Sequence, residues 1–506
     1  MKNINFGDIP IGLYDIPYSP KETVLYLNMM KSNAVIFGRA MSGKTVMVKN
    51  ILARMNELSP YSGIEYTYIL DFGGNLNDYS GLGRVAAYFD SSNEENIKRL
   101  FNAVEARLSN NSRRLNGENY FEYQTEHAND LIDHVTLIIE NVTAFLAEER
   151  YADYHERLAR IVRDGVSKGV SVLLTANDHT SSLARLMVYF DRKFALEMPM
   201  EKYLEIFNMR VDTPMKIPGR GVTVIDSKPC EFQAYLPFKT EGEVKALIAS
   251  TSAFGIEKLR SFPQELTFDN YNEYCTDINL TAGEVLVGLD YSEQNPVTVD
   301  FDDVRNIAIY GKKQFGKTNL LRLLLHGVLR EYPGANYMFF DDMKGQLKEF
   351  CDYASKHTSG SVTYITQLNA LMDEVRRIKG GRSMGTTFMI LQNKILFRED
   401  PTNREQFVLA SLMLQAREAG LYFIFTDVPK IPSNYRAGDF NQFIEVAFLL
   451  DSIGDFLMNK GQSSVFSGLD VKEMQREYTR SDIGDGFYYD VALDDFKKIK
   501  VIKTEV

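Results

Sequence analysis

Two stretches of the chain, Gly38-Arg39-Ala40-Met41-Ser42-Gly43-Lys44-Thr45 and Gly311-Lys312-Lys313-Gln314-Phe315-Gly316-Lys317-Thr318, fit the pattern G-x-x-x-x-G-K-[ST]. Glycines at those positions let the backbone curl until successive N–H groups face a phosphate at the start of a helix. Lys44 and Lys317 would neutralise the outer phosphates, and the hydroxyls of Thr45 and Thr318 would ligate the magnesium ion that accompanies the nucleotide. The chemistry predicted at both places is therefore binding of ATP with Mg2+. A glycine-rich turn can share these letters, but each stretch leaves an apolar strand (Ala34-Val35-Ile36-Phe37 or Ile307-Ala308-Ile309-Tyr310) and enters a helical pattern. In the first copy Met47, Val48, Ile51, Leu52 and Met55 recur at helical spacing.

A nucleotide hydrolase of this type also needs an acidic residue at the end of a second apolar strand, and commonly a neighbouring Glu to activate water. The strand VTLIIEN ends in Glu140-Asn141, and its counterpart TFMILQN ends in Gln392-Asn393. Glu140 can substitute for the magnesium-holding Asp, or it can be a strand-end polar residue. Asn141 cannot take a proton, and Gln392 and Asn393 do neither job well. Asp71, Asp341 and Asp342 end another strand and either add charge to the site or stand as solvated strand-end carboxylates. Thr175-Ala176-Asn177 and Thr426-Asp427 end a further strand, where a γ-phosphate sensor or a plain strand-to-loop transition would sit. Arg417, three residues before Gly420, is the candidate for an arginine acting in trans on a neighbour's site; Val166 holds the equivalent place in the first half.

The elements that position these residues occur twice. NAVIFGRAMSGKT (33–45) matches NIAIYGKKQFGKT (306–318), YILDFGGNL (68–76) parallels FFDDMKGQL (339–347), and KGVSVLLTAND (168–178) parallels AGLYFIFTDVP (419–429). Gly12-Leu13 and Gly288-Leu289 precede the two loops in the same way. A period of about half the chain is far longer than a solenoid repeat, so we read two paralogous domains, 1–259 and 260–506. The boundary region lies at 250–265, where the helical segment GEVKALIAST gives way to GIEKLRSFPQEL and Pro263 stops any helix. Short, fully apolar strands such as Tyr68–Leu70, Leu137–Ile139 and Val172–Leu174 alternate with helical stretches. The fold class expected is α/β, a mostly parallel central sheet flanked by helices in each domain.

Composition narrows the function classes. The 506 residues are 44% hydrophobic and 25% charged without low-complexity tracts, which predicts globular domains with little disorder. The cysteines Cys230, Cys275 and Cys351 show no zinc spacing, and no apolar run reaches membrane-spanning length. A net charge of −11 disfavours a broad phosphate-binding surface, so nucleic acid is not expected as a partner.

The order of elements resembles the FtsK/SpoIIIE family of ring motors: a P-loop, Leu70-Asp71-Phe72-Gly73-Gly74-Asn75-Leu76, Glu140-Asn141, then Gly169-Val170-Ser171-Val172. The tandem arrangement, with PGRGVTVI (218–225) and IGDGFYYD (483–490) closing the two modules, is most similar to the EssC/EccC ATPases of type VII secretion. That resemblance implies RecA/FtsK-like P-loop domains, of which this chain holds the second and third of three. It also implies a membrane-anchored polypeptide acting from the cytoplasmic side. The partners implied are the remaining modules of the same translocase, further copies of the chain, and small helical-hairpin secreted substrates recognised by a C-terminal signal on the last module. Bulky residues Phe397, Phe407, Leu412, Leu414 and Phe456 could line such a peptide groove or be ordinary core. The departures at the second acidic strand imply weak hydrolysis or none. The competing functions are an FtsK-like DNA translocase, which would add a basic DNA-reading domain after FYYDVALDDFKKIKVIKTEV, and a regulatory nucleotide-binding scaffold without motor action.

Overall fold

The computed structural model describes residues 7–15, 22–57, 64–127, 129–237, 240–275, 280–292, 294–311, 314–341, 345–381, 385–392, 404–428, 443–450, 484–493 and 495–504. The chain divides into two compact units, Met1–Ser261 and Phe262–Val506. Strands of the first are β1 (Ile9–Asp15), β2 (Glu22–Leu27), β3 (Ala34–Phe37), β4 (Glu65–Asp71), β5 (Val85–Asp90), β6 (His134–Glu140), β7 (Val170–Ala176), β8 (Arg192–Ala195), β9 (Arg220–Ile225) and β10 (Lys228–Ala234). Those of the second are β11 (Glu284–Asp290), β12 (Pro296–Asp300), β13 (Asn306–Gly311), β14 (Asn336–Asp341), β15 (Val362–Ile365), β16 (Thr387–Gln392), β17 (Leu421–Val428), β18 (Val446–Leu450), β19 (Asp485–Asp490) and β20 (Asp495–Val501).

Each unit forms one sheet, and the two sheets have the same order: β2-β1-β10-β9-β8-β3-β7-β6-β4-β5 and β12-β11-β20-β19-β18-β13-β17-β16-β14-β15. From β8 to β5 every neighbouring pair is parallel. From β8 to β2 every pair is antiparallel. The second sheet repeats this division. The expected α/β class and the tandem duplication are thus both present, and the antiparallel extension adds to the mostly parallel core.

Strands β3, β6 and β7 are buried at every position, as continuous apolar runs in a doubly covered sheet must be. Their side chains alternate between two cores: Val35 and Phe37 join one, Ala34 and Ile36 the other. The second unit partitions Ile307 and Ile309 from Ala308 and Tyr310 in the same way. The helix after the first loop, Lys44–Glu57, buries Met47, Val48, Ile51, Leu52 and Met55, the stripe read from the sequence. The segment before Pro263 forms the helix Glu241–Thr251, started by a capping box between Thr240 and Glu243.

Gly12 and Gly288 mark a shared device. Each lies at a register shift in its strand pairing. A Cβ built there would lie 2.4 Å from the Gln233 carbonyl oxygen and 1.9 Å from that of Lys500, so only glycine allows the strands to pass.

Beside the second sheet's β19–β20 pair, the units diverge in chemistry. Asp485 accepts from Lys500 Nζ at 2.8 Å and from the Tyr291 hydroxyl at 2.7 Å, and both charged side chains are 3% exposed. The register-equivalent pair in the first unit is Arg220 and Gln233, with Arg220 held by Glu231 at 2.5 Å on a more open surface. Removing one member of a buried pair strands the other's charge. Asp485→Asn is therefore expected to destabilise the second unit by about 3–5 kcal/mol, read by urea denaturation of the full chain, with Arg220→Gln costing ~1 kcal/mol or less. Equal losses at the two positions would contradict this.

Candidate nucleotide sites

The first phosphate loop runs from the end of β3 into the helix Lys44–Glu57, so its N–H groups gather at a helix N-terminus. Its backbone takes positive φ at Met41 (63°) and Gly43 (104°), and the second loop repeats this at Gln314 (70°) and Gly316 (98°). A common curl with a left-handed residue at the fourth and sixth positions is what lets successive N–H groups converge. Gly38 is buried, Arg39, Ala40 and Met41 are exposed, and Ser42 is buried beneath them. Arg39 contacts Glu197 through its guanidinium. In the second loop Gln314, Phe315, Gly316, Lys317 and Thr318 are described, whereas Lys312 and Lys313 lie outside the described residues.

Lys44 folds back over its loop and donates from Nζ to the carbonyl oxygens of Gly38 at 2.7 Å and Arg39 at 3.0 Å. Lys317 makes the same bond to Gly311 O at 2.7 Å. Burial lowers the Lys44 pKa and the nearby Glu140 carboxylate raises it in part. An anionic phosphate arriving at the loop would favour the charged ammonium further.

Glu140 ends β6 directly beside the loop, and the Thr45 hydroxyl donates to its Oε1 at 3.1 Å. The residue is 4% exposed, and its Oε2 has no hydrogen-bond partner. Burial pushes its carboxyl upward, the Asp71 charge adds to that, and the Thr45 hydroxyl and Lys44 ammonium pull it back down. A hydroxyl and a buried carboxylate with one unused oxygen, adjacent to a phosphate cradle, fit a magnesium ion held jointly by Thr45 and the nucleotide. That ion would neutralise charge on the phosphates.

The neighbouring positions do other work. Asp71 accepts from the backbone N–H of Gly73 (3.0 Å), Gly74 (2.8 Å) and Leu76 (2.7 Å) and from the Tyr88 hydroxyl (2.9 Å). It is a staple for the turn after β4. Asn141, at φ 60°, bonds its N–H to Thr175 Oγ1 at 2.7 Å, and its side-chain oxygen accepts from Asn177 at 3.1 Å. The strand ends Glu140-Asn141 and Thr175-Ala176-Asn177 are thereby tied into one polar cluster next to the loop.

The second unit brings different groups to the same places. Gln392 pairs in register with Asp341, as Glu140 does with Asp71. Asp341 accepts from Leu347 N at 2.7 Å and from the Tyr364 hydroxyl at 3.1 Å, repeating the Asp71 pattern with one extra residue in the turn. Asp341 is therefore the structural counterpart of Asp71, although the sequence match sets Asp342 opposite it. The Gln392 amide donates to Gln346, and its Oε1 has no partner. Asp342 and Asn393 lie outside the described residues, and Asp427 is described only as part of β17.

Arg417 sits before the start of β17, at the opposite end of the parallel strands from its own loop, and donates to Asp303 O at 2.6 Å. It takes no part in its own unit's site. Of the bulky residues considered for a peptide groove, Leu412 is core at 1% exposure and Leu414 is 70% exposed. Phe397, Phe456 and the side chain of Phe407 lie outside the described residues.

The residues that the sequence did not single out are those that approach the loops. Gly219, at φ 78°, donates its N–H to Ser42 O at 2.8 Å, and a Cβ on Gly43 would lie 2.7 Å from Gly219 N. Gly484 approaches the second loop less closely, 3.9 Å from a Cβ built on Gly316. PGRG and IGDG were legible as related closing segments, but nothing in their letters shows that they abut the phosphate loops.

These sheets, with β7 or β17 inserted between the loop strand and the strand of Glu140 or Gln392, define tandem P-loop NTPase domains of the additional-strand kind. The relatives found carry the name that the motifs pointed to. The ESX secretion system protein EccC of Thermomonospora curvata is 22% identical over 464 residues, 82% of this chain and 34% of that protein. The type VII secretion system protein EssC of Staphylococcus aureus is 23% identical over 320 residues, 60% of this chain and 21% of that protein. The chain thus spans between about a fifth and a third of these relatives' length. Among solved structures, EssC (ATPases 2 and 3) from Geobacillus thermodenitrificans superposes with a TM-score of 0.70 at 19% identity, covering 99% of this chain and 96% of that one. Thermomonospora curvata EccC (ATPases 2 and 3), in complex with a signal sequence peptide, gives 0.55 at 18% identity, covering 100% and 94%. No family model matches the sequence.

Proposed function

We propose that the chain is the nucleotide-binding part of a type VII secretion translocase, corresponding to its second and third ATPase modules. It binds ATP at both P-loops and engages small secreted proteins through their C-terminal signals, with little hydrolysis of its own. The observation that carries this reading is the cluster of Lys44, Thr45 and Glu140 at the first loop, whose lysine contact recurs at Lys317 in the second, where Gln392 takes the register position of Glu140. A cradle without a base stores nucleotide, and stored nucleotide stabilises the folded module by mass action. Such a module serves as a platform for partners more readily than as an engine. Among the described residues no helix is long and apolar enough to cross a membrane. In this reading the rest of the translocase, together with its first module, supplies the anchor on the cytoplasmic side of the membrane. Further copies of the chain would assemble with it.

The solved EccC relative carries a signal sequence peptide, and the same class of ligand is proposed here for the second module. Apolar anchors at i, i+3 or i+4 along a helical peptide are the expected contacts. Titrating the full chain with labelled C-terminal signal peptides is expected to give saturable binding that is lost when the peptide's apolar anchors become alanine. Duplex DNA at physiological salt is expected to give no appreciable binding, because the chain carries a net charge of −11. Equal binding of a scrambled peptide would sink the peptide reading. Submicromolar DNA affinity with a steep salt dependence would replace it with a DNA motor.

A further inference from the structure

The described parts of the two cradles share their positive-φ pattern but differ at the strand end beside them, where Gln392 takes the register position of Glu140. At the first, the Thr45 hydroxyl points at a carboxylate, and Glu140 keeps a buried Oε2 without a hydrogen-bond partner. Space for that oxygen comes from Gly73, where a Cβ would lie 2.2 Å from it. At the second, a neutral amide replaces the carboxylate, and Gln392 donates one of its two amide N–H groups to Gln346. Its remaining oxygen is a carbonyl acceptor, which can solvate a cation's water but adds no charge. Magnesium dehydrates reluctantly and is held through carboxylates and phosphates, so exchanging the carboxylate at the Glu140 position for an amide weakens its hold. Among the described residues the neighbouring carboxylate is Asp341, on β14, one strand further from the loop strand than Gln392; its Oδ2 is committed to Leu347 and Tyr364, and its buried Oδ1 has no hydrogen-bond partner. The lysine contact is preserved in both loops, at 2.7 Å to the glycine carbonyl.

We infer that the two P-loops differ in their need for a divalent cation: the first holds nucleotide as a magnesium complex, and the second holds it through Lys317 and the backbone cradle without one. This rests on the proposed nucleotide binding at both loops and specifies the regulation of the second. A module built this way keeps its nucleotide when free magnesium falls, while the first releases it. The cation then becomes a signal that one half of the chain reads and the other ignores.

The test uses the full chain and a fluorescent ATP analogue, titrated in excess magnesium and in excess EDTA. Lys317→Ala leaves the first site and is expected to lose affinity by about tenfold or more on chelation. Lys44→Ala leaves the second, and its affinity is expected to change by less than about threefold. Adding Gln392→Glu to Lys44→Ala should create cation dependence. Nucleotide bound at the second site with a dependence equal to the first's overturns the inference while leaving the nucleotide reading intact. A dependence that Asp341→Asn removes also overturns it and assigns the cation contact to Asp341. No binding at the second site in either condition instead defeats the nucleotide reading itself. Should a lysine variant fail to fold, native mass spectrometry of the wild-type chain in EDTA decides the matter: one retained nucleotide is expected, and two, or none, contradict it.

Discussion

Lys44→Ala is expected to abolish nucleotide binding at the first loop, with an affinity loss on the order of 10²-fold, while leaving the second loop's site in place. The ammonium is the one cation that the first cradle turns inward, held over the loop by Gly38 O and Arg39 O, whereas Arg39 is directed to Glu197. When phosphate enters, those carbonyl bonds exchange for charge-assisted ones, each worth roughly 1.5–3 kcal/mol, and alanine can make none of them. Lys317→Ala should do the same at the second loop. Equilibrium titration with a fluorescent ATP analogue reads both, and an unchanged stoichiometry and affinity in either variant would mean that loop had been misassigned.

Hydrolysis carries the other large effect. Turnover of the full chain should fall well below the ordinary range that begins near ~1 s⁻¹, because a missing general base costs roughly 10²–10⁴ in rate. Glu140 uses Oε1 on Thr45, and the next residue, Asn141, ties its side-chain oxygen to Asn177 and has no proton-accepting group. In the second unit Gln392 bonds Gln346 and offers no carboxylate at all. Asn141→Asp should raise turnover, since Asp tolerates the left-handed backbone there about as well as Asn does. A steady-state assay with robust turnover in the wild type, abolished by Lys44→Ala, would contradict this and make Glu140 a working base.

The phosphate loops, their flanking strands and the duplicated order were legible in the sequence because each is a local pattern: a glycine spacing, a continuous apolar run, a helical stripe. Glu140 was also within reach, since strand ends on the loop side of a parallel sheet can be located from the strands alone. The role of Asp71 was not. Whether a strand-end carboxylate meets a cation or three backbone N–H groups depends on how the next five residues fold, and the glycines of Phe72-Gly73-Gly74-Asn75-Leu76 permit either. The pairing of Asp341 with Gln392 was hidden by a single extra residue in the second turn, which the letters FFDDMKGQL absorb without a visible gap. The bracing of the first loop by Gly219 was hidden for another reason. It depends on an antiparallel extension far along the chain, and long-range approach leaves no trace in local periodicity. Leu412 illustrates the same limit from the other side, because a bulky residue near a loop reads identically whether it faces a partner or the core.

The claim on which everything else depends is that both cradles hold nucleotide. The most direct measurement is the number of ATP-analogue molecules bound per wild-type chain at saturation in excess magnesium. The account predicts two, falling to one in Lys44→Ala and to one in Lys317→Ala. Saturation at one in the wild type, or none, would contradict it.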